Sequence, residues 1–337
     1  MKRRAFIVAA VSLAMISASP ARAQSVEEFY RGKTITILVG FTAGGGYDLY
    51  ARLLGRHMSR HIPGKPAIVA QNMPGAGSMK AAQFVYGVAP KDGLTLATVS
   101  RGMATEPLLN PASTGFDPTK LTWLGTVTSE TSVCATWKTS PVKTWPDMFT
   151  REFSLGGSAI GADPDTFALI LRNVFGARVK LVTGYPGGND INLAMERQEV
   201  DGRCGWSWTS LRSQKSWLPQ INVLVQFNLE KNADLPNVPM ALERASSDEQ
   251  RQVLRLLIAG QYVGRPFFTS PDIPADRKAA LRAAFDATMK DQQLLDDAAR
   301  LDLEISPISA APVDAFLADL YRTPKDVVAK AVTAIQK

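Results

Sequence analysis

A glycine-rich turn between a strand-like run and a helix-like run is the feature that most constrains the fold of this chain. The apolar, β-branched segment 35–39 precedes Phe41-Thr42-Ala43-Gly44-Gly45-Gly46, and apolar residues recur at helical spacing over 47–54. At such a turn, free backbone N–H groups and the positive end of a helix dipole meet at one point, which favours an anion. The segment 34–57 therefore predicts a strand–turn–helix unit that binds an anionic group.

The first 23 residues have the pattern of a secretory signal peptide. Lys2, Arg3 and Arg4 precede an apolar stretch over 5–16, and Ala21-Arg22-Ala23 matches an A-x-A cleavage site. The glycine turn lacks the G-x-G-x-x-G and G-K-[ST] patterns of nucleotide sites. We therefore expect an exported protein whose turn captures a small acid. An N-terminus retained as an uncleaved anchor is the alternative, although its apolar core is short for one.

Size and charge argue against several classes of protein. Without residues 1–23 the chain keeps 314 of its 337 residues, enough for two lobes with cores of ordinary size. The signal removes four basic residues, so 38 basic and 31 acidic residues become 34 and 31, a net charge of +3. The basic residues are scattered, which argues against a nucleic-acid partner. No later segment is apolar over the roughly 18 residues that a bilayer span needs, so we do not expect a membrane-embedded protein.

Short β-rich runs alternate with helical stretches along most of the chain. One series covers 34–99, a second covers 133–225, and a mostly helical stretch from 246 is interrupted by prolines from 266 onwards. This alternation predicts an α/β fold with two lobes, each a mostly parallel sheet flanked by helices. Ligands of such sheets bind beyond the carboxyl ends of the strands, so we expect a ligand cleft between the lobes. The C-terminal helices are expected to pack on the first lobe.

Motifs spread over the chain follow one another in the order typical of one known family. They are 37–48 (ILVGFTAGGGYD), 72–77 (NMPGAG), 90–93 (PKDG), 183–188 (TGYPGG) with 199–202 (EVDG), and 235–239 (LPNVP). Over essentially the whole chain after residue 23, the sequence resembles the substrate-binding proteins of tripartite tricarboxylate transporters, also called the Bug or TctC family. The resemblance implies a periplasmic binding protein of type II-like fold that closes on a small organic carboxylate and delivers it to membrane permease subunits.

The resemblance also implies lobe ranges and ligand contacts. Lobe one would comprise 24–127 plus 229–337 and lobe two 128–228, in a monomer without cofactor, metal or catalytic residues. Backbone N–H groups of two opposing turns, 41–45 and 157–161, would hold the carboxylate, with a third wall at 75–78. Asp48 would accept N–H bonds within its own loop, since a carboxylate facing the ligand would repel it. The expected ligand-binding residues are Phe41, Thr42, Ala43, Gly44, Gly45, Asp48, Asn72, Gly75, Gly77, Ser78, Ser158, Ala159, Gly161, Asp163, Thr166, Tyr185 and Trp206.

Lobe two departs from the family pattern. Family members usually have a glycine- and serine-rich turn followed by a histidine, whereas this chain has Ala159, Ala162 and then Asp163-Pro164-Asp165-Thr166. Asp163 would either contact the ligand or cap the helix that opens at Pro164. The segment 204–208 (CGWSW) is also not general in the family. We therefore expect side chains of lobe two to determine which acid is bound.

Two residue pairs admit two interpretations each. Cys134 and Cys204 either form a disulfide, as an oxidising compartment allows, or are two small buried hydrophobic residues. His57 and His61, the only histidines, have the i, i+4 spacing of a zinc site. They lack the acidic residue of an H-E-x-x-H pattern, so we favour a solvated helix face.

The tryptophans at 206 and 208 also admit two interpretations. In a strand, Trp206 and Trp208 would face the same side, because successive side chains alternate between the two faces. They would either stack on a ring in the cleft or pack the core of the lobe, and we favour the core.

Two other functions remain as alternatives to a transport receptor. A ligand-bound receptor could engage a two-component histidine kinase as an extracytoplasmic sensor. An exported hydrolase has less support, because Ser78 is not in a G-x-S-x-G elbow and both histidines belong to one predicted helix. The residues therefore favour binding without catalysis.

Overall fold

The strands of the chain form two separate sheets. The computed structural model describes residues 24–159 and 161–336, so the predicted signal peptide over 1–23 lies outside the described residues. Within them, one sheet has six strands and the other has five. Helices cover both sheets, and the predicted two-lobed α/β architecture is confirmed. We call the lobe with the six-stranded sheet lobe one and the other lobe two.

The strands are short, apolar and largely buried. Their bounds are β1 Thr34–Val39, β2 Ala67–Asn72, β3 Thr95–Thr98, β4 Thr122–Thr126, β5 Ser132–Trp137, β6 Phe153–Gly156, β7 Val179–Val182, β8 Gly202–Ser207, β9 Ile221–Phe227, β10 Pro266–Thr269 and β11 Ile308–Ser309. In β1, Ile37, Leu38 and Val39 are all buried although they alternate in direction. Burial on both faces is expected of a sheet that helices cover on both sides.

The helices connect the strands and cover the sheets. Their bounds are α1 Val26–Tyr30, α2 Gly46–Met58, α3 Met79–Gly87, α4 Glu106–Leu109, α5 Pro111–Thr114, α6 Asp147–Thr150, α7 Asp163–Leu169, α8 Gly188–Glu196, α9 Trp208–Ser213, α10 Asp248–Ile258, α11 Ala275–Thr288, α12 Gln292–Arg300, α13 Ala310–Leu320 and α14 Lys325–Ala334. Short 3₁₀ turns, one at Arg101–Ala104, and a π-helical turn at Ile170–Val174 lie between them. No helix among the described residues is long and apolar enough to cross a membrane.

The sheet of lobe one has the strand order β11-β4-β10-β3-β1-β2. β1 pairs in parallel with β2 and β3, whereas β10 runs antiparallel to β3 and β4, and β11 antiparallel to β4. Strands β1 to β4 therefore share one direction. Their carboxyl ends lie at one edge of the sheet, where the glycine turn after β1 begins.

The sheet of lobe two has the strand order β7-β6-β8-β5-β9. β6 pairs in parallel with β7 and β8, and only β5 runs against its neighbours β8 and β9. In each lobe the inserted antiparallel strand, β5 or β10, is the first strand after the chain crosses over from the other lobe. Most strands of each sheet thus share a direction, as expected, but each sheet also contains antiparallel pairs of strands.

Strand β10 corrects the sequence interpretation, which placed only an interruption of helical structure at Pro266. Proline is tolerated as the first residue of a strand, and the next two residues, Phe267 and Phe268, are fully buried. Phe268 packs on Trp123 of β4 with ring centroids 5.1 Å apart. A run of four residues is too short to show a periodic pattern, so this strand is specified by its packing.

The C-terminal helices pack on both lobes. In α11 and α12, Phe285 and Leu294 belong to the core of lobe one. By contrast, Gln250 Nε2 of α10 donates to the carbonyl oxygen of Val174 at 3.1 Å, and Asn173 of the π-helical turn donates to Ala334 at 3.0 Å. The expected packing on lobe one is therefore incomplete. The lobe ranges 24–127 plus 229–337 and 128–228 stay a prediction.

A disulfide joins two neighbouring strands of lobe two. Cys134 of β5 and Cys204 of β8 are bonded, and both residues are fully buried. The bond links residues 70 positions apart in the sequence. It therefore restricts the unfolded chain over a long loop, which is one way in which a disulfide stabilises a fold.

Replacement of both cysteines by alanine should lower the free energy of unfolding by about 2–4 kcal/mol, the usual range for a disulfide that closes a long loop. Urea unfolding followed by circular dichroism, with and without a thiol reductant, measures this effect. The reductant should destabilise the wild type and leave the double variant unchanged. A wild type that keeps its unfolding midpoint after complete reduction would contradict the prediction.

Candidate functional site

A cleft between the lobes brings together residues from both. It encloses about 680 Å³ free of protein atoms, with its open mouth included. Lobe one contributes the turn between β1 and α2 and the 3₁₀ turn after β3, and lobe two contributes the starts of α7, α8 and α9 and strand β8. The lining residues are Phe41, Thr42, Gly45, Gly46, Tyr47, Ser100, Arg101, Ser158, Asp163, Pro164, Gly188, Asn189, Asn192, Arg203, Gly205, Trp206, Ser207, Ser210 and Gln214.

Asp48 organises the glycine turn of lobe one. Its carboxylate accepts hydrogen bonds from the Gly44 N–H, from Arg52 Nε and from Asn72 Nδ2, each at 2.9 Å. Burial opposes ionisation, but these bonds outweigh it and lower the pKa of Asp48 below its ordinary value. Asp48 therefore fixes its own loop, as predicted. The Gly44 N–H is used inside the turn and is not free for a ligand.

The start of α2 presents unpaired donors to the cleft. Gly45 is the N-cap residue, Gly46 begins the helix, and no side chain accepts a hydrogen bond from its first turn. Both glycines line the cleft. Beside them the rings of Phe41 and Tyr47 stack with centroids 4.8 Å apart. The positive end of a 13-residue helix thus faces the cleft next to an apolar wall.

The opposing loop of lobe two uses its donors internally. The Gly157 N–H donates to Val182 at 2.8 Å, and the Ser158 N–H donates to Asp165 Oδ2 at 2.6 Å. Residue 160 lies outside the described residues. The expectation that this loop offers its N–H groups to a ligand is therefore wrong for Gly157 and Ser158. Instead, the start of α8, where Gly187 caps without a side-chain bond, brings Gly188 and Asn189 to the cleft.

A cluster of buried charges connects the lobes beside the cleft. Arg101 of lobe one bonds to Asp163 of lobe two, and its Nη1 lies 3.9 Å from Glu130 Oε2. Arg265 Nη2 lies 3.2 Å from the same oxygen of Glu130. Gln261 Nε2 also donates to Asp163 at 3.2 Å. Two guanidinium groups and two carboxylates therefore balance one another, and all four side chains are more than nine-tenths buried.

Asp163 has a different role from the predicted cap. The N-cap residue of α7 is Ala162, and no side chain caps this helix. The Asp163 carboxylate points to Arg101, so the capping alternative is wrong. Asp163 still lines the cleft, and its predicted contact with a ligand stays a prediction.

The structure places six predicted ligand-binding residues in the lining of the cleft and the other eleven outside that lining. On the cleft are Phe41, Thr42, Gly45, Ser158, Asp163 and Trp206. Ala43, Gly44, Asp48, Asn72, Gly75, Gly77, Ser78, Ala159, Gly161, Thr166 and Tyr185 do not line it. Among these, Ser78 Oγ accepts a hydrogen bond from the Ser100 N–H at 2.7 Å and so supports a residue that does. The ligand contacts of both sets stay predictions.

The sequence interpretation missed two arginines of the cleft, Arg101 and Arg203. Arg101 follows a predicted strand, and Arg203 lies in one. A single basic residue at such a position forms no sequence pattern that marks it as part of a binding site. The glycine pair Gly187-Gly188 before a helical run was a usable signal for the start of α8, because a glycine turn marks an uncapped helix start.

Neither histidine lines the cleft, and the favoured solvated face is wrong for His57, which is buried. Its Nε2 lies 2.9 Å from Asp297, and Nε2 of His61 lies 2.7 Å from Asp291. Asp291 is the N-cap residue of α12 and Asp297 lies within that helix, so the pairs attach α2 and the 3₁₀ turn Ser59–His61 that follows it to α12. Among the described residues, no group of three or more His, Cys, Asp or Glu side chains could hold a metal.

The two tryptophans pack in the core of lobe two, as favoured. Trp206 also lines the cleft and meets Trp217 edge-on at 6.2 Å. Trp208 begins α9, and its indole N–H donates to Asp234 at 3.1 Å. The expected common direction is therefore wrong, because β8 ends at Ser207 between them.

Comparisons with known proteins agree with this geometry, although no protein-family model matches the chain. The chain is 25% identical over 341 residues to a UPF0065 protein in the gbd 5' region of Cupriavidus necator, covering 98% of each sequence. The structure of the periplasmic binding protein BugD matches 90% of this chain and 98% of BugD with a TM-score of 0.73 and 19% identity. MatC from Rhodopseudomonas palustris, solved with bound malate, matches 90% of this chain and 99% of its own with a TM-score of 0.69 and 20% identity.

The chain has the fold of the Bug and TctC periplasmic binding proteins. UPF0065 is the Bug family, so the resemblance predicted from the motifs is confirmed over nearly the whole sequence. The cleft between the two lobes holds the glycine turn, the starts of α2 and α8, and the buried arginines.

A further acidic residue of this Bug fold lies where the two lobes meet. Glu106 of α4 is 2% exposed, and Asn110 Nδ2 donates to it at 2.8 Å. Gly161 of lobe two, with φ +80°, lies so close that a Cβ there would overlap the Glu106 carboxylate. Burial raises the pKa of Glu106 to about 7, despite the opposing hydrogen bond from Asn110.

The raised pKa of Glu106 predicts a pH-dependent stability. The folded protein keeps a proton that the unfolded chain loses near pH 4.5, so stability should fall as the pH rises from about 4.5 to 7 and be level above that. Relative to Glu106→Gln, the wild type should lose roughly 3 kcal/mol over this window, since each pKa unit corresponds to about 1.4 kcal/mol. Chemical unfolding at several pH values measures the difference.

Glu152→Gln, at an exposed position of lobe two, is the matched control and should leave the pH profile parallel to that of the wild type. Parallel profiles for the wild type and Glu106→Gln would show that Glu106 does not keep its proton in the folded protein.

Proposed function

We propose that this protein is a periplasmic receptor that captures a small organic acid between its lobes and delivers it to the permease subunits of a tripartite tricarboxylate-type transporter. The observation that carries the proposal is the set of unpaired donors at Gly45 and Gly46, fixed by Asp48 and directed into a cleft between two lobes. Charge-assisted bonds to backbone N–H groups suit a carboxylate.

Contacts between the lobes support a receptor that closes on its ligand. Thr42 Oγ1 of lobe one donates to Asp190 of lobe two at 3.4 Å, and Arg265 Nη2 donates to Ser210 Oγ at 2.9 Å. Donors from both lobes can satisfy one small ligand only when the lobes approach. The arrangement supports binding by closure rather than by a rigid pocket.

The comparisons support a periplasmic location for the protein and a carboxylate as its ligand. The solved neighbours include periplasmic binding proteins, and MatC was solved with malate, a small carboxylate. The signal-like segment 1–23 supports export by the same reasoning. We include no catalytic step, because Ser78 Oγ accepts the Ser100 N–H and both histidines pair with aspartates outside the cleft.

Small organic acids should raise the melting temperature of the purified protein, whereas their neutral amides should not. Succinate, malate and butyrate form a suitable panel, and each acid is tested beside its neutral amide. A ligand at 100 times its Kd adds about 2.7 kcal/mol to the free energy of unfolding, which raises the melting temperature. Native mass spectrometry of protein purified without refolding identifies an acid that is carried along. Equal shifts with acids and amides, or ester hydrolysis by the protein, would contradict the proposal.

Gly102→Ala should weaken ligand binding by hindering closure. Gly102 of lobe one faces lobe two so closely that a Cβ would overlap the carbonyl oxygen of Gly161. Such overpacking costs about 1–3 kcal/mol and falls only on the closed form, so affinity should drop roughly 5- to 100-fold. Calorimetry with the acid that gives the largest thermal shift measures the affinity.

Gly87→Ala on α3 is the matched control, because a Cβ there has no neighbour within 4 Å. Small-angle scattering should show that ligand reduces the radius of gyration of the wild type and the control but not of Gly102→Ala. Equal affinity and equal compaction in all three proteins would argue against closure at this contact.

A further inference from the structure

Arg203 differs from the other buried arginines of the cleft because no carboxylate pairs with it. Arg101 and Arg265 are neutralised by Asp163 and Glu130. Among the residues that the structure describes, no carboxylate oxygen lies within the 4.0 Å ion-pair distance of the Arg203 guanidinium. A positive charge on the wall of the cleft is therefore left without a directly paired carboxylate, because the Asp163 carboxylate that acts on it from a distance is bonded to Arg101.

The protein holds the Arg203 side chain firmly in one position. Arg203 is 6% exposed, and its Nη1 donates to the carbonyl oxygen of Gly188 at 2.8 Å and to Asn192 Oδ1 at 3.1 Å. Its guanidinium lies 5.2 Å from the ring centroid of Trp206, a cation–π distance. The Nη2 group makes no hydrogen bond with any described residue. A donor fixed in this way loses little entropy when a ligand binds.

An unpaired buried charge is costly, which gives the position physical meaning. Burial and the positive charge of Arg101 lower the pKa of Arg203 to about 9 against the opposing effect of the Asp163 carboxylate, so the group is still protonated at neutral pH. A charged side chain can be buried at a low cost in free energy only when it contacts an opposite charge and its polar atoms make hydrogen bonds. The start of α8 at Gly188 adds the positive end of a helix at the same place, and the acidic residue of its first turn, Asp190, accepts a hydrogen bond from Thr42 and makes no ion pair with Arg203.

We propose that Arg203 is a specificity-determining residue that binds a second acidic group of the ligand, at the end that faces lobe two. The inference rests on the proposed function, in which the first acidic group binds at the start of α2 in lobe one. The two anion-binding points lie on opposite walls of the cleft. The ligand class is therefore small acids with a negatively charged group at each end.

Arg101 does not fit this role, although it also lines the cleft. Its guanidinium is committed to Asp163, to Ser132 Oγ and to the carbonyl oxygen of Gly205. The nitrogen that lacks a hydrogen bond, Nη1, lies 3.9 Å from Glu130 and so already has a counter-ion. The free charge of the cleft is thus on Arg203.

Arg203→Met tests the proposal with pairs of acids that have the same number of carbons. Calorimetry compares succinate with butyrate and adipate with hexanoate, so that each pair differs by one carboxylate. The wild type should bind a diacid at least about tenfold more tightly than its monoacid. The variant should lose about 10- to 100-fold in affinity for that diacid and less than about threefold for the monoacid, as expected for one charge-assisted contact.

Two further variants separate the contact from general effects. Arg197→Met removes a positive charge from an exposed site of the same lobe and should change neither affinity. Arg203→Lys keeps the charge but loses the planar fork, so its diacid affinity should be intermediate. Arg203→Met also loses the bonds to Gly188 and Asn192, so thermal unfolding without ligand establishes first that the variant is folded at the temperature of the calorimetry.

The outcomes distinguish this inference from the proposed function. Equal losses for both members of a pair, or no loss for either, would overturn the role of Arg203 in selecting a second acidic group. A wild type that binds mono- and diacids equally would overturn it too, while leaving the acid receptor intact. A wild type that binds none of these acids and none of the acids in the thermal-shift panel would overturn both proposals.

Discussion

Buried ion pairs between Arg101, Asp163, Glu130 and Arg265 hold the two lobes in the arrangement that forms the cleft. Such pairs add little net stability, because the cost of removing the charges from water is close to what their attraction returns. They do penalise other closed arrangements, since a lobe that slid by a few ångströms while the contact stayed dry would leave a charge buried and unpaired. The cluster therefore determines the geometry in which the lobes meet, and the disulfide and the hydrophobic cores of the lobes provide the stability.

The same cluster connects the glycine turn to lobe two. The backbone N–H of Arg101 donates to the Tyr47 hydroxyl at 3.0 Å, and the Arg265 guanidinium lies 4.5 Å from the centre of the Tyr47 ring. Tyr47 in turn stacks on Phe41 at the edge of the anion-binding turn. A ligand at the start of α2 thus contacts a turn whose position depends on ion pairs with lobe two. Capture of the ligand and approach of the lobes are physically linked through these side chains.

Features that arise from neighbours in the sequence could be predicted, and features that arise from distant residues could not. The turn over 41–46 and the role of Asp48 were predictable because the carboxylate bonds to an N–H only four positions away. The pairing of Arg101 with Asp163 spans 62 positions, and no pattern in the sequence announces it. Strand β10 was missed for the same reason, since its four residues are specified by contacts with β3 and β4. The Ser158–Asp165 bond spans only seven positions, yet no role was predicted for Asp165 from the sequence, because the cap and ligand roles were considered for Asp163.

The bond between Ser158 and Asp165 makes the two lobes present different groups to the cleft, and hence to the acid of the proposed function. In lobe one, Asp48 takes the Gly44 N–H and leaves the donors of Gly45 and Gly46 free, so a carboxylate meets backbone groups. In lobe two, Asp165 takes the Ser158 N–H, and the groups left on the cleft wall are the start of α8 and the Arg203 guanidinium. Backbone donors bind any carboxylate, whereas a fixed guanidinium requires an anionic group at one particular place. In the proposed receptor, discrimination between acids therefore belongs to lobe two, where a charged side chain takes the place of backbone donors.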